Sequence, residues 1–301
     1  MIVAREHICA MAPYALAELQ PPPGKPLVSL AQNESALPPS PAALKAAAEA
    51  VADSTLYPDP DWSDLRRAIT DVHGLDPAQI LCGAGSMELI LCLTQCYAGP
   101  GDEILTSEYA YAFFRTAAAI AQASYVTVPE HGFAVAVDRL LDAVSRNTRI
   151  VFVANPGNPT GTRIANAELA RLRNGLHEDI LLVIDEAYGE FSEDAGKSVF
   201  DLVKQGNTVV LRTFSKAYAL AGLRIGYIVA HPQVIDIISM VKLPFNVNVL
   251  AQAAAMACLE SDWFLTRHVA MITAERRYLT DELERRGLGV QPSETNFLLV
   301  E

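Results

Sequence analysis

LRTFSKAYALAGLRIG, residues 211–226, decides how the rest of the chain is read. The apolar run Val209–Leu211 reads as the end of a buried strand. Thr213, Ser215 and Lys216 follow, two hydroxyls beside a lysine, and Arg224 comes eight residues after the lysine. A strand ending in such groups suits an anionic ligand, because open α/β sheets bind ligands outside the carboxyl ends of their strands. Lys216 has a second use. Apolar surroundings and a neighbouring cation lower a lysine's pKa and free its amine for Schiff-base chemistry. A surface lysine with ordinary neighbours would look the same in this stretch alone, so the other motifs must separate the two.

Working outward, strand-like and helix-like segments alternate. AQILCGAGS (78–86), DEILT (102–106), SYVTV (124–128), RIVFVA (149–154), DILLVIDEAY (179–188), NTVVLRTFS (207–215) and LRIGYIVA (223–230) read as strands. Helical patterns lie between several of them: MELILCLTQCYAG, YAYAFFRTAAAIAQA from residue 109, and NAELARLRNGL. Such alternation predicts an α/β fold with a mainly parallel central sheet and helices on both faces. Upstream, PPPG at 21–24 favours extended backbone. PAALKAAAEAVAD starts a helix capped by Ser40 with Pro41 in its first turn. DWSDLRRAITDVHG is a second, closed by Gly74. After Pro232 the pattern is helical. Its last helix, 261–287, is expected to run about 24 residues, or about 36 Å, with four-apart pairs Asp281–Arg285 and Glu282–Arg286. TNFLLVE, 295–301, reads as the first strand of a smaller C-terminal α/β domain that is cut short. The expected division is an arm at 1–39, a large domain at 40–262, and a linking helix with the start of the small domain at 263–301.

Of 301 residues, 51% are hydrophobic and 19% charged, enough to bury a sizeable core. The formal net charge of −12 argues against nucleic acid or an anionic membrane as partner, so any phosphate site must be local. Five scattered cysteines without a CxxC read as buried thiols, with no metal site. No run approaches membrane-spanning length, and a cytoplasmic protein is expected.

Four further motifs fall at expected strand ends. GAGSMEL (83–89) offers small residues and free N–H groups opening a helix, with the Ser86 hydroxyl, although an ordinary turn has the same sequence. Among Tyr109, Tyr111, Phe113 and Phe114, Tyr109 is placed to lie on a planar ligand, and Tyr111 is its rival. NPGNPTG (155–161) makes a rigid loop in which Asn158 can present an amide. DEAY (185–188) ends an otherwise apolar strand. A buried Asp185 there calls for a positive partner, a protonated ring nitrogen or an arginine.

In order and spacing, LAQNES, LYPDP, GAGSMEL, PGDEIL, NPGNPTG, DEAY and RTFSKAYALAGLRIGY resemble the fold-type I pyridoxal-phosphate aminotransferases, most closely the histidinol-phosphate aminotransferase branch. The resemblance spans about Pro13 to Glu301. It implies pyridoxal 5'-phosphate as cofactor, amino acid and 2-oxo acid substrates, and a homodimer. It makes Lys216 the lysine that carries the cofactor, and Asp185 the partner of the pyridine nitrogen. Tyr188 and Asn158 meet the phenolic oxygen, and Tyr109 stacks on the ring. Ala84, Gly85, Ser86, Thr213, Ser215 and Arg224 bind the phosphate. Tyr57 reaches the phosphate from the other subunit, and Tyr14 and Asn33 close over substrate. The family's substrate-carboxylate arginine would fall beyond Glu301. Poor transamination with intact cofactor binding is therefore expected of the 301 residues, unless Arg5 or Arg115 takes that role. The resemblance leaves the amino donor open between histidinol phosphate and aromatic amino acids. It also leaves open a threonine-phosphate-type decarboxylase and a non-catalytic relative.

Overall fold

The computed structural model describes residues 2–14, 23–26, 28–194 and 199–301. Of PPPG, positions 21 and 22 lie outside the described residues, as does part of the expected arm. The strands are β1 (Ile80–Gly83), β2 (Glu103–Ser107), β3 (Ser124–Val128), β4 (Thr148–Ala154), β5 (Leu181–Asp185), β6 (Thr208–Thr213) and β7 (Gly226–Ala230). They form one sheet in the order β1-β7-β6-β5-β4-β2-β3. Only β7 runs against its neighbours; β2 to β6 are mutually parallel where they pair.

This order explains where the motifs meet. Central parallel strands are covered on both faces and so are apolar throughout, as LLVI of β5 is. The register sets Ala154 beside Asp185 and Asp185 beside Leu211, so the loops after β4, β5 and β6 emerge together. The reversed strand supplies the rest. Gly226, at the start of β7, pairs with Gly83 at the end of β1 and with Thr213 at the end of β6. Arg224, two residues earlier, is thereby delivered to the carboxyl edge of the parallel strands. Only glycine fits at 226, since a Cβ there would sit 2.8 Å from Arg212 O and 3.0 Å from Ser86 N.

Eleven helices are found among the described residues: α1 (Glu6–Cys9), α2 (Pro41–Ala50), α3 (Ser63–His73), α4 (Ser86–Tyr97), α5 (Phe113–Ala121), α6 (Val137–Ala143), α7 (Asn166–Gly175), α8 (Phe200–Val203), α9 (Pro232–Ser239), α10 (Val249–Leu259) and α11 (Trp263–Arg285). Ser40 Oγ accepts from Ala43 N at 3.1 Å and caps α2, and a left-handed Gly74 closes α3. Between sheet and helices the core includes the stacked pair Phe114–Phe152, 4.3 Å apart.

Several sequence expectations are revised. Helix α5 starts at Phe113, so Tyr109 and Tyr111 lie in the preceding loop. Helix α6 was not anticipated. In α11 the expected Glu282–Arg286 pair forms at 3.7 Å, whereas Arg285 pairs with the same Glu282 at 2.5 Å instead of with Asp281; three-apart and four-apart neighbours compete for one acid. Residues 295–301 form no strand beyond a single bridge, Val290–Val300. Two backbone bonds flank that bridge, Gln291 N to Leu299 O at 2.9 Å and Glu301 N to Gly289 O at 2.8 Å, while the Phe297 carbonyl accepts from Ser293 Oγ at 2.7 Å and Thr295 Oγ1 at 3.1 Å.

Candidate active site

Lys216 follows β6 by three residues and is half-buried. Its Nζ donates to Gln32 O at 2.8 Å and Asn33 O at 3.1 Å and lies 5.7 Å from the Tyr188 ring centre. Burial pulls its pKa down to about 8, with Arg224 acting in the same direction and the charges of Glu34 and Asp185 opposing. The amine is therefore far easier to deprotonate than a surface lysine.

Asp185 closes β5 with 5% exposure. One carboxylate oxygen accepts the Ala187 N–H at 3.0 Å, and no ion pair forms among the described residues. Burial pushes its pKa up to about 6, against the Ala187 hydrogen bond. Three residues further, Tyr188 is 3% exposed. Its hydroxyl accepts from Asn33 Nδ2 at 3.2 Å and from Asn158 Nδ2 at 3.4 Å. With both lone pairs engaged, the hydroxyl proton is free to be donated to a ligand. Burial raises this phenol to about 12, so it stays protonated. The two asparagines of NPGNPTG divide the work. Asn155 uses its amide on Ile164, donating at 3.0 Å and accepting at 2.8 Å, and shapes the loop. Asn158 faces Tyr188.

The start of α4 forms an anion cradle. No side chain caps this helix, and Gly85 before it has φ +83°. A Cβ at Gly85 would lie 2.4 Å from Arg224 Nη2, so guanidinium and helix N-terminus share one pocket, and the positive φ is what favours glycine there. Arg224 Nη1 reaches Ser215 Oγ at 3.5 Å, and Thr213 Oγ1 meets the same oxygen at 3.0 Å. Within this cradle Ala84 N–H donates to Glu88 Oε2 at 2.5 Å and Gly85 N–H to Gly83 O at 2.7 Å. Those two amides hold the turn itself, which leaves the α4 start, Ser215 and Arg224 for a ligand. Phosphate chemistry fits this donor set, and a cationic ring nitrogen fits the unpaired Asp185. Pyridoxal 5'-phosphate combines both groups.

The aromatic candidates are placed differently. Tyr109 is 43% exposed and leans on Phe133, 5.5 Å between centroids. Tyr111 is half-buried, edge-on to Phe114, and its phenol is pushed up by burial, with Tyr14 and Asp185 adding to the effect. Tyr14 stands edge-on to Phe113 at 6.2 Å. Tyr57 is 82% exposed and stacked on Phe245 at 4.7 Å.

A family model for aminotransferase class I and II matches residues 25–301. The chain belongs to the class I and II aminotransferases. A histidinol-phosphate aminotransferase of Ruegeria sp. (strain TM1040) is 44% identical over 275 residues, covering 91% of this chain and 75% of that protein. One of Erythrobacter litoralis is 44% identical over 283 residues, covering 92% and 77%. The crystal structure of the Sinorhizobium meliloti histidinol-phosphate aminotransferase, in complex with pyridoxal-5'-phosphate, superposes with a TM-score of 0.86 at 32% identity, over 89% of this chain and 74% of that one.

Some residues of this aminotransferase's site were not singled out from sequence. Asn296 Nδ2 donates to Asn33 O at 3.0 Å, and Phe297 meets the Tyr188 ring edge-on at 5.3 Å. A lone asparagine before an apolar run was the available signal. Glu88 holds Ala84 N–H while accepting from Asn246 Nδ2 at 2.9 Å, and lay unremarked in GAGSMEL. The Gln32 carbonyl carries no side-chain signal at all. No helix is long and apolar enough to cross a membrane, and no metal-binding group of His, Cys, Asp and Glu occurs, among the described residues.

Proposed function

We propose that this aminotransferase uses pyridoxal 5'-phosphate to move an amino group between histidinol phosphate and a 2-oxo acid, with 2-oxoglutarate as acceptor. The observation that carries the reading is the pairing, at adjacent strand ends, of a lysine with a depressed pKa and a buried aspartate that has no cation of its own. Identity of 44% to histidinol-phosphate aminotransferases supports the choice of substrate.

Bound, the cofactor supplies an electron sink for the bond broken at the substrate's α-carbon. Asp185 keeps its ring nitrogen protonated. Tyr188, with Asn158 behind it, donates to the phenolic oxygen. Thr213, Ser215, Arg224 and the open start of α4 at Ser86 would take the phosphate. Lys216 would hold the cofactor covalently, and its Nζ, once freed, would be the base that takes the proton from the substrate's α-carbon and passes it on to the cofactor. Tyr111 or Tyr109 covers the ring, and Asn33 and Tyr14 face the substrate. The enzyme works as a cytoplasmic homodimer in which Tyr57 serves the neighbouring site. Support comes from its 82% exposure and from exposed Leu56, Met240 and Leu243 (71%, 82% and 69%), which are apolar side chains suited to burial between subunits.

The test is a panel of amino donors with 2-oxoglutarate. Histidinol phosphate should give a kcat/KM at least about tenfold above tyrosine, phenylalanine and aspartate. An aromatic donor in first place, or carbon dioxide released from threonine phosphate, would overturn the substrate assignment.

A further inference from the structure

LAQNES, residues 30–35, sits against the lysine from outside the sheet. Gln32 O and Asn33 O accept from Lys216 Nζ, and Asn33 Nδ2 donates to Tyr188. The segment therefore contacts the reactive amine directly, and its own placement needs an anchor.

That anchor is a histidine on α11. His268 is completely buried, edge-on to Phe191 at 5.9 Å and tilted against Phe264 at 5.6 Å. Its ring has two polar neighbours. Nδ1 lies 2.8 Å from the carbonyl of Ala217, the residue after Lys216, and Nε2 lies 3.2 Å from Ser35 Oγ. A carbonyl only accepts, so Nδ1 carries a proton and donates it. Nε2 faces the Ser35 hydroxyl, for whose single proton it competes with Leu37 O at 2.8 Å.

We propose that His268 is a positioning residue, joining the lysine turn at Ala217 to the 32–35 segment through Ser35 and so fixing the wall of the site that faces Lys216. It touches neither the amine nor any ligand and acts through its two neighbours. This deepens the reading above and rests on it only for the effect on turnover.

Three variants separate the two bonds. Ser35→Ala removes the link to 32–35 from the half-buried segment and should leave the fold intact. His268→Asn keeps an amide near the Nδ1 position, able to hold Ala217 O, and loses Ser35. His268→Gln reaches the Nε2 position and can keep Ser35. Amide hydrogen exchange is measured across 30–37 and across β4–β6, with and without pyridoxal 5'-phosphate, beside KM and kcat for histidinol phosphate. Ser35→Ala and His268→Asn should speed exchange at 30–37 about tenfold, the effect of one lost buried hydrogen bond, without change in β4–β6. Both should raise KM about tenfold with kcat within about threefold, and His268→Gln should restore both readouts to within about threefold of the parent. Parent-like exchange at 30–37 in both Ser35→Ala and His268→Asn would overturn the proposal, and so would a rise spread equally over β4–β6. The exchange measured without cofactor decides this even if the cofactor assignment itself fails, because that failure would show only as loss of turnover in the parent.

Discussion

Two neighbouring acids at the end of β5 meet opposite fates. Asp185 and Glu186 are buried to nearly the same extent, 5% and 6% exposed, and leave an extended chain in opposite directions. Glu186 meets Arg212 at 2.9 Å, and the same guanidinium reaches Glu190 at 2.7 Å. That cluster is a structural one, although Arg212 Nε and Glu190 Oε2 have no hydrogen-bond partner of their own. Among the described residues Asp185 has only the Ala187 amide as hydrogen-bond partner, and the Lys216 charge acts on it without forming an ion pair. Where the charge is compensated inside the chain, the residues hold the scaffold. Where it is left uncompensated beside a lysine of lowered pKa, the chain is arranged for a ligand that brings the missing cation.

Breaking the compensated side should have the largest effect on stability. Arg212→Met leaves two buried carboxylates without a cation and should cost about 3–5 kcal/mol, read by denaturant unfolding of the cofactor-free protein. A loss below about 1 kcal/mol would show that the cluster is not structural.

The uncompensated side should respond in the reverse sense. Asp185→Asn should slow kcat about hundredfold or more, because the ring nitrogen loses its charge partner. It should also stabilise the cofactor-free protein. The folded pKa is raised from 3.8 to about 6, so the native state binds more protons across that window and stability falls as pH rises through it. Above about pH 6 the asparagine variant should therefore be more stable by up to about 3 kcal/mol, and at pH 3 the gain should vanish. Equal stability of parent and variant at pH 8 would contradict the comparison.

The smallest change sharpens it. Tyr188→Phe removes one hydroxyl that accepts from Asn33 and Asn158 and should lower kcat/KM about tenfold while the phosphate cradle still binds cofactor. Weakened cofactor binding with unchanged turnover would place Tyr188 outside the ring's neighbourhood.

The sheet was legible because its central strands are unbroken apolar runs closed by glycine, asparagine or acidic loops. The structure gathers Lys216, Asp185, Tyr188, Asn158 and Arg224 at the carboxyl edge of the parallel strands, but their proposed roles came from the order of the motifs, since a lysine after a strand, taken alone, reads equally as a surface residue. What sequence concealed depends on backbone atoms and on distant contacts. The Gln32 and Asn33 carbonyls that receive Lys216 leave no mark on composition. Glu88 looked like any helix residue, yet it takes the Ala84 amide that the resemblance assigns to phosphate. TNFLLVE has strand composition, but it pairs only with 289–291, through one bridge and two backbone bonds, and Ser293 and Thr295 take its Phe297 carbonyl.

The most direct test of the central claim is chemical. The protein, saturated with pyridoxal 5'-phosphate, is reduced with borohydride, digested, and the modified peptide located by mass spectrometry. The lowered lysine beside the unpaired aspartate predicts a single stoichiometric adduct on Lys216, lost in Lys216→Ala. An adduct on Lys204 or Lys242, or none at all, would contradict the account.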